Sequence, residues 1–319
     1  MSDHDRRDGR VVVVLGASSG IGRACARAFA AQGAHIVLAA RGQERLARAR
    51  QECDDDGAAD TLALPTDVLD ADQVRRLVER TVAAYGRVDV VVHTANVMAY
   101  GAIEDVPPAV FERVVDTAVH GTANVARSVL PTFRSQGAGT LVIVTSLLAS
   151  VPVPSMGAYI AGKWGQHGLA RVLQLELRDV PDVHVCTVAP GSVDTPIFRQ
   201  AANYAGHVGR PPPPVASAEQ VARAVLRSAD RPVKRRSVGL ANGIVLLGYR
   251  LLPPLYDRLV GPLVRIGVFT RDTLAPTVGN VFAPLVADPV GDGREGGDDG
   301  AAASYATERV PAERTGPTA

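Results

Sequence analysis

Tyr159 and Lys163 stand four residues apart in the stretch AYIAGKW, residues 158 to 164, among small side chains. On a helix, positions i and i+4 share one face, so the phenol and the amine project together. An ammonium beside a phenol favours the tyrosinate and lowers the phenol's pKa from its usual ~10. A phenol tuned in this way can give a proton to, or take one from, a carbonyl or alcohol oxygen near neutral pH. Ser146 closes the apolar run TLVIVTS, residues 140 to 146, where its hydroxyl could hydrogen-bond the same oxygen. The bland alternative is a half-buried tyrosine beside a surface lysine, and the pair alone does not separate the two.

A second cluster, G-A-S-S-G-I-G at residues 16 to 22, directly follows the run VVVVL at residues 11 to 15. Its spacing is not the G-x-G-x-x-G of the usual dinucleotide fingerprint, but the physics is shared. Gly16, Gly20 and Gly22 let the backbone approach a pyrophosphate, and a helix N-terminus offers free N–H groups to it. Ser18, Ser19 and Ile21 sit inside the same turn. Tight turns need glycine for their own sake. The all-apolar strand before this one favours phosphate binding. The next apolar run, HIVLAA at residues 35 to 40, ends in Ala40-Arg41, without the acidic residue that an NAD ribose would want. An arginine there suits a 2′-phosphate through its charge and planar donors. The reading therefore prefers NADP(H), with NAD(H) possible, over a merely solvated arginine.

These residues need a scaffold, and the hydrophobic pattern supplies one. Buried strands are expected at 11–15, 35–40, 61–64, 88–95, 140–146 and 183–189, with a possible seventh near 236–240. Helical patterns separate them, including 70–86 with Asp70 or Asp72 as N-cap, 107–136, 157–180 and 217–229 with Ser217 as N-cap. Such alternation implies an α/β fold: a doubly wound, Rossmann-type parallel sheet of six to seven strands with helices on both faces. Ligands bind beyond the carboxyl ends of strands in such sheets, which is where the residues above fall. The expected organisation is a flexible N-terminus at 1–9 and a dinucleotide-binding and catalytic domain at 10–230. A mostly helical C-terminal extension at 231–287 and a disordered, acidic, glycine-rich tail at 288–319 follow. The loop at 191–214, with a short helix, could close over a site.

Composition narrows the function. With 319 residues, 46% hydrophobic and 21% charged, and a net charge of +1, the chain has no field to steer it to nucleic acid. Cys25, Cys53 and Cys186 lack any C-x-x-C spacing and read as idle thiols in a reducing cytosol. His35, His167, His184 and His207 show no metal-ligand spacing; His93 and His120 lie near the expected site without supporting a metal. The charged N-terminus does not look like a signal peptide, and no apolar run reaches ~18 residues, so the expected location is cytoplasmic. The basic KRR at 234–236 precedes an apolar, arginine-dotted stretch that could lie on a membrane surface. Its prolines favour instead a helical extension packed over the substrate loop or a subunit interface.

G-A-S-S-G-I-G, Ser146 thirteen residues before Tyr159, Y-I-A-G-K as Y-x-x-x-K, and P-G-S-V-D-T from Pro190 together resemble the short-chain dehydrogenase/reductase family. The resemblance covers about residues 10 to 230. It implies that Tyr159 is the catalytic acid/base, that Lys163 tunes it and holds the nicotinamide ribose, and that Ser146 positions the substrate oxygen. It further implies that Asp67 and Val68 meet the adenine and that Ala95 lines the cofactor. Pro190, Gly191, Val193 and Thr195 would pack on the nicotinamide carboxamide. Arg41 matches the NADP-preferring branch. A homodimer or homotetramer built through the helices at 107–136 and 157–180 is implied as well.

The chain departs from the family's pattern at three places. Leu15-Gly16 replaces T-G, and H-T-A-N at 93–96 replaces N-N-A-G, with Asn96 where a glycine lets the cofactor lie close. Ala118 stands where the family's active-site asparagine holds a water that links the lysine to solvent. Alanine has no side-chain hydrogen bond to offer, so the relay is either lost or rebuilt, with His120 or Asn96 as candidates to hold a substitute water. The expected function is an NADP(H)-dependent oxidoreductase interconverting a ketone or aldehyde and an alcohol. Apolar stretches at 147–156, Val97–Tyr100 and the 194–214 loop suggest a lipophilic small molecule. The competing reading, resting on Ala118 and Asn96, is an NADP(H)-binding regulatory protein with impaired catalysis.

Overall fold

The computed structural model describes residues 9–285. The expected flexible start (but for Gly9) and the expected disordered tail lie outside the described residues. Eleven strands form: β1 (Val11–Leu15), β2 (His35–Ala40), β3 (Asp60–Pro65), β4 (Val90–His93), β5 (Ala99–Tyr100), β6 (Gly139–Val144), β7 (Val183–Pro190), β8 (Ala202–Asn203), β9 (His207–Gly209), β10 (Arg235–Val238) and β11 (Phe269–Thr273). The helices are α1 (Gly20–Ala30), α2 (Gln43–Asp55), α3 (Ala71–Tyr85), α4 (Pro108–Gln136), α5 (Gly157–Glu176), α6 (Ile197–Gln200), α7 (Ala218–Asp230), α8 (Asn242–Leu251) and α9 (Pro253–Gly267).

Seven strands make one sheet in the order β10-β7-β6-β4-β1-β2-β3, all parallel. The β-branched runs explain it: such residues pack well on a pleated surface covered on both sides. Alternate residues face opposite layers. Val12, Val14, Ile36 and Leu38 pack with α1, α2 and α7, whereas Val13, Leu15, Val37 and Ile143 pack with α3, α4 and α5. The order reverses between β1 and β4, so a crevice opens at their carboxyl ends. There Leu15 is level with Ala39 and His93, and His93 is level with Ile143.

Local chemistry fixes the ends. The Asp70 side chain accepts from the Gln73 amide at 2.9 Å and caps α3. Ser217 and Gln220 form a reciprocal capping box on α7. The strand expected at 88–95 stops at His93, because the Thr94 hydroxyl and amide both turn onto the Leu15 carbonyl, at 2.8 and 2.9 Å. Gly162 and Gly165 let α5 lie close on α4. A Cβ at Gly162 would stand 2.9 Å from Ala118 Cβ, and one at Gly165 would stand 2.7 Å from Val119 Cγ2.

Beyond residue 230, β10 joins the sheet beside β7, and α8 and α9 then run over the 191–214 loop. Asn242 ties the start of α8 to the Val238 carbonyl (3.0 Å) and to Ser237 (2.9 Å). Arg210 donates to the Ile266 and Gly267 carbonyls at the end of α9. Tyr256 donates to the Pro152 carbonyl at 2.6 Å, and β11 pairs antiparallel with β9.

Candidate active site

The glycine turn leaves β1 with Gly16 at φ +88° and enters α1 at Gly20, φ +50°, both in the region that favours glycine. A Cβ at Gly16 would lie 2.5 Å from Thr94 Oγ1 and 2.7 Å from the Ala95 amide, so only glycine lets the turn nest there. Ser19 occupies the N-cap of α1 without a side-chain cap, and the first turn carries no acidic residue. Its leading N–H groups and positive dipole end suit an anion such as a pyrophosphate.

At the end of β2, the Arg41 guanidinium donates to three backbone carbonyls of the extension: Asn280 (2.6 Å), Val281 (3.1 Å) and Phe282 (3.2 Å). Burial lowers its pKa, with Asp67 opposing and Arg113 adding. Asp67 is engaged by Arg113 at 2.6 Å and by the Leu69 amide at 3.0 Å. Val68 is held by its carbonyl, which accepts from Asn124 Nδ2 at 3.0 Å.

Ser146 follows β6 and accepts from the Leu148 amide at 3.1 Å. Tyr159 and Lys163 project from the first turns of α5. The Lys163 Nζ stands 5.6 Å from the centre of the Tyr159 ring and donates to the Val144 carbonyl (3.1 Å) and to Gln166 Oε1 (2.9 Å). Burial opposes the expected lowering of the phenol. It pushes Tyr159 up to about 12, although part of its ring opens to the cleft, and its hydrogen bond with Ser146 pulls the other way. Burial likewise pushes Lys163 down to about 7. Loss of solvent disfavours the charged form of each, and both groups are driven toward neutrality.

His120 does not face the amine. Its side chain is 70% exposed and pairs with Asp116 at 3.0 Å on the outer face of α4, so it cannot hold the substitute water. Asn96 does line the cleft. Its Oδ1 accepts from the Val97 amide at 3.1 Å, and its buried Nδ2 has no protein partner, leaving a donor for a ligand. A buried hydrogen-bond network lies beside the Lys163 amine. Gln166 Nε2 donates to Thr122 Oγ1 at 2.8 Å, and His93 Nε2 lies 3.1 Å from the same oxygen. Burial, with Lys163 adding, lowers the His93 pKa to about 3. The sequence reading placed His93 near the site but missed Thr122 and Gln166. The available signal was a polar residue at a core-facing position of α4 and of α5.

One cleft of about 870 Å³ brings these parts together. It is lined by Gly16, Ser18, Ser19, Gly20, Ile21, Gly22, Arg41, Asp67, Val68 and Ala95, and also by Ser146, Tyr159, Lys163, Pro190, Gly191, Val193 and Thr195. Val97, Met98, Leu148, Val151 and Met156 form its apolar end, with Ile197, Phe198 and Pro212 from the 191–214 loop. Tyr100 is not part of it. The ring is fully buried in the core and meets Phe269 edge-on, with centroids 5.3 Å apart. The outer wall comes from α8 and α9, through Ile244, Leu252, Leu255, Leu259 and Leu263; the sequence reading expected a helical extension here, over the substrate loop or a subunit interface, without naming its lining residues. Among the described residues, no group of three or more His, Cys, Asp or Glu could hold a metal ion. The three cysteines are free and buried.

The short chain dehydrogenase family model matches residues 10–205. The uncharacterized oxidoreductase YxnA of Bacillus subtilis is 32% identical over 262 residues, covering 79% of this chain and 71% of its own. An alcohol dehydrogenase from the archaeon Thermococcus sibiricus, solved with 5-hydroxy-NADP, superposes with a TM-score of 0.63 at 27% identity, over 72% of this chain and 96% of its own. A short chain dehydrogenase from Mycobacterium paratuberculosis, solved with NAD, gives 0.64 at 27% identity, over 73% and 97%. The family model spans well over half of the chain, including the glycine turn and the Tyr–Lys helix, and the chain belongs to the short-chain dehydrogenase/reductase family of oxidoreductases.

Proposed function

We propose that the protein is an NADP(H)-dependent reductase or dehydrogenase that interconverts a ketone or aldehyde and an alcohol on a lipophilic small molecule. The supporting observation is the joining of Ser146, Tyr159 and Lys163 to an apolar pocket and a glycine turn within one cleft. The first-turn amides of α1, with Ser18 and Ser19, would hold the pyrophosphate. Arg41 would meet the 2′-phosphate, exchanging neutral carbonyl partners for an anion, and Asp67 and Val68 would border the adenine. Ala95, Pro190, Gly191, Val193 and Thr195 would surround the nicotinamide, which supplies or accepts the hydride when bound.

Tyr159 gives its proton to the carbonyl oxygen in reduction and takes one from the alcohol in oxidation. Ser146 donates to that oxygen and holds it against the phenol. Lys163 holds the ribose and, when charged, favours the tyrosinate. The leucines of α9 keep water off the reacting carbonyl and accept an apolar substrate. We further propose a cytoplasmic homodimer or homotetramer paired through α4 and α5; Trp164, Val172 and Leu175 are exposed on α5. Among the described residues, no helix is long and apolar enough to cross a membrane.

The test is NADPH oxidation across lipophilic ketones and aldehydes, with Tyr159→Phe beside the wild type. Turnover should fall by roughly 10²–10⁴ in the variant, with NADPH binding retained. Ala118 and Asn96 favour a second reading, an NADP(H) sensor. Silence from both proteins despite NADPH binding would support it.

A further inference from the structure

We propose that His93, Thr122 and Gln166 are positioning residues that form a one-way hydrogen-bond clamp on the Lys163 amine, fixing its orientation and favouring its charged form. The inference rests on the Tyr159–Lys163 reading and adds to it what holds the lysine. Lys163 is 3% exposed, and its amine reaches two acceptors, the Val144 carbonyl and Gln166 Oε1. Around it, α4 presents Ala118 and Thr122, β6 a backbone carbonyl, β4 His93, and α5 itself Tyr159 and Gln166. Of these, only Tyr159 and His93 titrate. The contact of His120 with Asp116 on α4 lies on its exposed face. Gln166 Oε1 is therefore the one side-chain acceptor that the amine reaches among the described residues.

Donor counting fixes which way that amide points. The Thr122 hydroxyl has one proton, and it goes to the Ala118 carbonyl at 2.6 Å. Toward its other two neighbours, the Thr122 oxygen can only accept. It accepts from Gln166 Nε2 at 2.8 Å, which turns Oε1 toward Lys163. It also accepts from His93 Nε2 at 3.1 Å, so His93 carries its proton on Nε2. His93 Nδ1 is then a bare lone pair, and it is the buried atom of that ring left without a partner. Lys163 donates to Gln166, Gln166 and His93 donate to Thr122, and Thr122 donates to the Ala118 carbonyl; the amide between Lys163 and Thr122 passes no proton on, so the chain orients and does not conduct. Without it the Gln166 amide is free to flip and present its NH₂ to the ammonium.

The chain contains only two lysines, Lys163 and the exposed Lys234, so a protein labelled with [13Cε]lysine gives two resonances and its own reference. We would titrate the ligand-free, full-length protein by NMR, a readout that needs no turnover. Failure of the clamp and failure of the oxidoreductase reading therefore remain separate results. Gln166→Met, close to isosteric, should lower the Lys163 midpoint by about one pH unit or more, because a hydrogen bond to a charged group is lost. Gln166→Glu should raise it. Thr122→Val should lower it, and Thr122→Ser, which keeps the hydroxyl, should restore the wild-type midpoint. A variant that unfolds would move Lys163 up to the Lys234 value, opposite to the expectation, and the Thr122 pair then carries the test. Midpoints for Gln166→Met and Thr122→Val within about 0.3 unit of wild type, well below the expected loss, would overturn the clamp. A lowered midpoint in Gln166→Glu would do the same.

Discussion

Replacing Lys163 by methionine should reveal what the buried amine costs the fold. Burial lowers the lysine from 10.5 to about 7, so folding disfavours its charged form. The penalty is complete below the folded value, and it disappears as the pH rises through 7 toward the unfolded value of 10.5. Methionine carries no such penalty. It does strand the Val144 carbonyl and Gln166 Oε1, at a pH-independent cost of about 1–3 kcal/mol each. The absolute stability of the variant is thus a poor measure, and the slope is the informative one. Between pH 7 and pH 9.5, the wild type should gain on Lys163→Met by about 3 kcal/mol, at ~1.4 kcal/mol per pH unit across most of that interval. Urea unfolding of both ligand-free proteins at several pH values reads the difference directly. Parallel stability curves would refute the reasoning, because they would mean that Lys163 enters the fold at its ordinary pKa.

Arg41→Ala should weaken NADPH binding by about tenfold or more, the scale of one charge-assisted contact, while NADH changes little; equal losses for both cofactors, by fluorescence titration, would remove Arg41 from cofactor choice. Leu259→Asp, on the outer wall of the cleft, should raise KM for lipophilic carbonyls without changing NADPH affinity. Gly162→Ala should destabilise the protein by about 1–3 kcal/mol through overpacking against Ala118, read as a lower urea midpoint at unchanged m-value.

The parts of the molecule written in consecutive residues were legible. VVVVL and its counterparts are β-branched runs that have few alternatives to a buried parallel strand, and the six firm strands and the tentative seventh all lie in the sheet. The glycine turn and the Tyr–Lys pair are each contained in one turn of chain, so their local geometry follows from spacing. What joins distant segments was not legible. Arg41 meets carbonyls some 240 residues away, and the hydrogen-bond chain beside Lys163 runs through three separate elements. The burial that pushes Tyr159 up and Lys163 down was hidden for a related reason: proximity can be read from an i, i+4 spacing, but the removal of water needs the packed surroundings. Tyr100 was expected at the pocket as part of the apolar stretch Val97–Tyr100; its ring is instead packed in the core with Val264, Val268 and Phe269, contacts that only the folded extension supplies.

The outer wall of the cleft has a consequence for how the protein opens. Of the side chains on α8 and α9, only Asn242 and Val264 are buried, while Ile244, Leu251 and Leu263 stay well over half exposed. A few tethers hold the pair: Asn242 at one end, Tyr256 in the middle and Arg210 at the other. Little apolar area is lost when the two helices swing away, so their opening free energy lies far below that of the seven-stranded sheet. In amide hydrogen exchange the molecule should separate into two classes: slow strands that exchange only with global unfolding, and a fast pair of helices. Residence of a lipophilic molecule in the cleft would then be timed by the detachment of this wall, and its arrival should be recorded as slower exchange along α8 and α9.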